Sequence, residues 1–62
     1  MEVLKTKFLK LYADLPLGVR SDVVAVLDDY GPITWNAAYV EVANNTAKGE
    51  EILNSLEELG II

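Results

Sequence analysis

Apolar residues recur in this chain at intervals of three and four, with polar residues between them. Leu4, Phe8, Leu11, Tyr12 and Leu15 form an i, i+4, i+7, i+8, i+11 stripe, the period of one helix face. The stripe predicts a first helix over 2–15, stopped there because a residue before proline avoids helical angles. Val19, Val23, Val26, Leu27 and Tyr30 repeat the spacing and predict a second helix over 17–30, its first turn opened by Pro16. Ser21 is a competing N-cap for it. The run Val23-Val24-Ala25-Val26 is β-branched and reads locally as strand. The helical spacing over twelve residues outweighs that reading.

Gly31-Pro32 ends the preceding element, because glycine accepts left-handed angles past a helix end and proline cannot continue a helix. The stretch 31–47 then carries one charge, Glu41, and the only tryptophan, Trp35. Thr34 is placed as an N-cap, and Ile33 with Ala38 has the spacing of a hydrophobic staple. Trp35, Ala38, Tyr39 and Val42 share a face of a third helix over 35–44. Asn44-Asn45-Thr46 is a turn, with asparagine tolerant of the left-handed conformation. Thr46 or Asn45 caps a last helix over 46–59, whose stripe is Ile52, Leu56 and Leu59, flanked by Leu53. Gly49 falls on the same face: either another helix passes close by, or the first turn is unwound. Gly60 stops the helix, and Ile61 folds back toward Leu56 in a Schellman arrangement.

The expected fold is therefore all-α: a compact four-helix, helix-turn-helix-like orthogonal bundle with no stable sheet, as one domain over 1–62. Its expected core is Leu4, Phe8, Leu11, Leu15, Val19, Val23, Val26, Leu27, Trp35, Ala38, Tyr39, Val42, Ile52, Leu56 and Leu59.

Charge and composition narrow the function. There is no cysteine and no histidine, which removes disulfides, thiolate chemistry and the commonest general base and metal ligand. Ten acidic against five basic residues leave a net charge of −5, which disfavours nucleic acid. The basic residues Lys5, Lys7 and Lys10 gather in the first helix. No apolar run reaches the roughly 18 residues of a membrane span. The early charges also exclude a signal-peptide core, so a cytoplasmic protein is expected. Acidic neighbours at Asp28-Asp29, Glu50-Glu51 and Glu57-Glu58 diverge on a helix and do not share a proton or a metal well. Glu50, Asn54, Glu57 and Glu58 share one solvent face and read as a solvated surface. No catalytic residue, metal site or cofactor is assigned, and no small-molecule substrate is evident.

From Thr34 to Ile62 the chain resembles the helix-turn-helix half of a winged-helix domain. Ile33-Thr34 opens the short helix, and Leu53-x-x-Leu56-x-x-x-Gly60-Ile61-Ile62 matches the closing signature. The β-hairpin wing that would come next is lacking. The helix equivalent to the DNA-reading one would present Glu50, Glu51, Asn54, Glu57 and Glu58, which repels a duplex. In that alternative, a wingless transcription-associated regulator with weak or no direct DNA binding, the contacts would be Lys7, Lys10, Asn45 and Lys48. The leading expectation is a non-enzymatic protein–protein interaction module or small assembly subunit. Its partner would be another protein or a second copy, as a homodimer. Its surface would be the off-stripe residues Val3, Leu9, Val24 and Val40 with Ile61 and Ile62.

Overall fold

The computed structural model describes residues 2–62. Three helices form: α1 over Glu2–Asp14, α2 over Trp35–Ala43 and α3 over Ala47–Glu58. Between α1 and α2 the expected second helix is absent. A single 3-10 turn, Leu17–Val19, comes after Pro16, and then two strands, β1 over Val23–Leu27 and β2 over Gly31–Thr34. The strands pair as an antiparallel hairpin. The fold is α+β, which corrects both the four-helix bundle and the absence of a sheet.

The reason lies immediately C-terminal to the valines. Asp28-Asp29-Tyr30-Gly31-Pro32 is turn chemistry, and Gly31 sits at φ 73° as the chain enters β2. A left-handed residue there reverses the chain instead of ending a helix. Reversal brings Ile33 opposite Ala25 and Gly31 opposite Leu27. Ala25, Leu27 and Ile33 are buried by this alternation, whereas a helix would have buried Val23 and Val26. Val23 is 54% exposed and Val26 70%. An irregularity in the register between Val23 and Ala25 sets Val24 apart, and Val24 packs against the core. Stiff β-branched side chains suit the extended chain.

The core is Phe8, Ala25, Leu27, Ile33, Ala38, Val42, Ile52, Leu53 and Leu56, and it holds no polar residue among those described. Leu4 and Trp35 pack against it half-buried. Leu11, Leu15 and Val19 are also half-buried. Tyr39 and Leu59, expected inside, are exposed. Tyr39 instead stacks on Tyr12 with ring centroids 4.5 Å apart. Leu59 lies beyond the end of α3 as its C-cap, past the last turn that faces the core.

Specific hydrogen bonds cap both ends of α2 and of α3. Of the first N–H groups of α2, Trp35 donates to the Asp22 carbonyl at 3.1 Å and Asn36 to that of Arg20 at 3.0 Å. Ala37 donates to the Thr34 hydroxyl at 3.1 Å. The loop before β1 thus caps the helix after β2, and this fixes the hairpin against α2. At its other end α2 closes in a Schellman pattern, with Asn45 at φ 55°. Asn45 donates to Val42 and Thr46 to Glu41 through their N–H groups. Thr46 then caps α3, its hydroxyl accepting from Gly49 N–H at 2.9 Å and donating to the Glu41 carboxylate at 2.7 Å. Gly49 is buried here, and a Cβ on it would lie 2.6 Å from the Glu41 carbonyl oxygen. Close helix approach, not an unwound turn, accounts for this glycine. Gly60 at φ 75° closes α3 in the same manner, with Ile61 N–H donating to the Leu56 carbonyl at 2.9 Å.

Candidate interaction surface

The hairpin and α3 together build a cleft of about 420 Å³. Val26, Leu27, Asp28 and Asp29 line one side, and Glu51, Asn54, Ser55 and Glu58 the other. Four of the eight are carboxylates and none is basic. Helical spacing explains the α3 side: Glu51, Asn54, Ser55 and Glu58 fall at i, i+3, i+4 and i+7, one face of the helix. The hairpin turn explains the other side, because it places Asp28 and Asp29 at the tip beyond β1.

Backbone geometry adds to the charge. Pro32 has no N–H, so its pair with Val26 cannot exchange hydrogen bonds. In an antiparallel ladder the alternation then turns the N–H and C=O of Val26 away from β2. Among the described residues the sheet holds two strands, so those groups face the open edge of β1. Val26 itself lines the cleft.

A second cluster lies where α1 meets α2. Tyr12 stacks near Phe8 and on Tyr39, and the Arg20 guanidinium carbon is 4.5 Å from its ring centroid. Arg20 Nη2 also donates to the Tyr12 carbonyl at 3.2 Å, at the C-terminal end of α1 where the helix dipole favours a cation. Tyr12 donates its hydroxyl proton to Asn36 Oδ1 at 2.7 Å. These contacts join α1, the 3-10 turn's exit and α2, and they are structural.

Of the residues expected to form an interaction surface, Val3, Val40 and Ile61 are exposed. Leu9, Val24 and Ile62 pack against the core. The structure places the three exposed residues on α1, on α2 and at the chain end. Among the candidate nucleic-acid contacts, Lys7 and Lys10 are exposed. Asn45 accepts from Lys5 Nζ at 2.8 Å, and Lys48 Nζ lies 4.8 Å from the Tyr30 ring centroid. Glu50, Glu51, Asn54, Glu57 and Glu58 are all exposed on α3.

The cleft is not legible in the sequence pattern. On a helix Asp28 and Asp29 diverge as neighbours, and only the hairpin brings the pair opposite Glu51 and Glu58. The available signal is the turn composition after a β-branched run. Among the described residues no group of three or more carboxylates is arranged to hold a metal ion, and no helix is long and apolar enough to cross a membrane. The chain matches no family model, no curated protein and no solved structure.

Proposed function

We propose that this chain is a non-enzymatic protein-interaction module that docks a cationic partner in the cleft between the hairpin and α3. One observation carries the reading: an unpaired strand edge borders a concavity with four carboxylates and no cation. Complementary charge steers a basic partner toward such a cleft and rejects an acidic one. The partner is another protein rather than nucleic acid, because the same carboxylates repel phosphates.

A second reading is the helix-turn-helix regulator. Its support is the three-residue turn Asn44–Thr46 between two packed helices, the length typical of that motif. Binding to a generic labelled duplex across a salt series separates the two. The interaction module gives no binding at physiological salt. Duplex binding that weakens steeply with salt would replace it with the regulator.

A further inference from the structure

From the open edge of β1 we infer that the occupant of the cleft is an extended segment of a basic protein, added as a third strand beside β1. This rests on the proposed docking role of the cleft and specifies its mode. The N–H and C=O of Val26 face the open edge and offer one donor and one acceptor to an incoming backbone. Side chains alternate along such a segment, so every second residue faces the cleft. Asp28 and Asp29 at one side and Glu51 and Glu58 at the other select Lys or Arg at those positions. The exposed Val26 side chain gives an apolar neighbour to residues of the opposite parity. A helix in the cleft would bring charge but would leave the Val26 backbone unused.

The test uses the full chain, labelled with nitrogen-15, and a capped ten-residue peptide alternating Lys and Val. Two further peptides serve as comparisons: one with Glu in place of Lys, and one with all internal amides N-methylated. The expected result is binding of the Lys-Val peptide alone, with hydrogen exchange at Val26 N–H slowed about tenfold or more. Glu58→Lys keeps the native amide spectrum and weakens the peptide about tenfold. Equal binding of the N-methylated peptide, or Lys-Val binding with Val26 exchange unchanged, overturns strand addition and leaves the acidic docking site standing. Failure of any cationic peptide to bind at low salt overturns both. Binding of the Glu peptide as tightly as the Lys peptide overturns the charge argument.

Discussion

At Gly49 a hydrogen atom is all the space allows. The Glu41 carbonyl oxygen and carbon would lie 2.6 and 2.8 Å from an added Cβ, and both are backbone, so neither can swing aside. Gly49→Ala gains about 1 kcal/mol of helix propensity but must push α2 and α3 apart. The expected net loss is about 2 kcal/mol, a fall of about 8–16 °C in the melting temperature of a domain this size. Thr46 is the second sensitive residue, since one hydroxyl caps α3 and holds the Glu41 carboxylate. Thr46→Val keeps the shape and loses both bonds. A cost of about 1–2 kcal/mol is expected, read from the urea midpoint. Phe8 is fully buried and meets the ring of Trp35 at 6.0 Å. Phe8→Ala should cost about 3–5 kcal/mol, more than Trp35→Ala, because Trp35 keeps part of its surface in water. Equal melting temperatures for these two variants would show that Trp35 anchors the core as strongly as Phe8.

The hairpin is the element on which the fold turns. A two-stranded hairpin is marginal alone in water. Here α3 packs on β1, Ile33 of β2 joins the same core as Ala38 and Val42 of α2, and Asp22 and Arg20 carbonyls tie its entry to the start of α2. Val26 and Pro32 form a pair without hydrogen bonds, so their α-protons lie close across the strands. A strong nuclear Overhauser effect between these two protons is the expected signature. Helical chemical shifts over Val23–Leu27 would contradict the hairpin outright. Gly31 has open space around it, so Gly31→Ala is limited by its φ of 73° alone. The expected cost is about 1–2 kcal/mol, and Gly31→Asn should recover part of it.

Across the whole molecule, charge is divided unevenly. The three lysines of α1 face a remainder rich in carboxylates, and α3 ends on Glu57 and Glu58 with no basic residue in its last turn. Carboxylates there oppose the helix dipole. Glu58→Lys is expected to raise stability by about 0.3–1 kcal/mol at low salt, an effect that fades as salt screens it. The same substitution removes a cleft carboxylate, so it separates folding from docking in one variant. Sedimentation equilibrium at physiological salt is expected to give a 6.8 kDa monomer, since the docking cleft is acidic and the net charge of −5 repels a second copy. A concentration-dependent dimer would instead make the lysines of α1 the cation that the cleft receives.

Local chemistry determined the helices and their ends. The Thr34 and Thr46 caps, the left-handed Asn45, the Gly60 stop and the stripes through Phe8, Val42, Ile52 and Leu56 all arise from hydrogen bonds and spacing within about one helical turn. Such contacts are local in sequence and need no partner element to be recognised. Residues 17–30 were different, because Val19, Val23, Val26, Leu27 and Tyr30 satisfy a helical period while Ala25, Leu27 and Ile33 satisfy a hairpin. Periodicity cannot choose between them. The choice fell to tertiary packing: α2 and α3 need an apolar sheet face, and only chain reversal at Asp28–Gly31 supplies one with Ile33 beside Ala25. The cleft depended on the same decision. Asp28 and Asp29 meet Glu51 and Glu58 across more than twenty residues of sequence, a juxtaposition that no local pattern encodes.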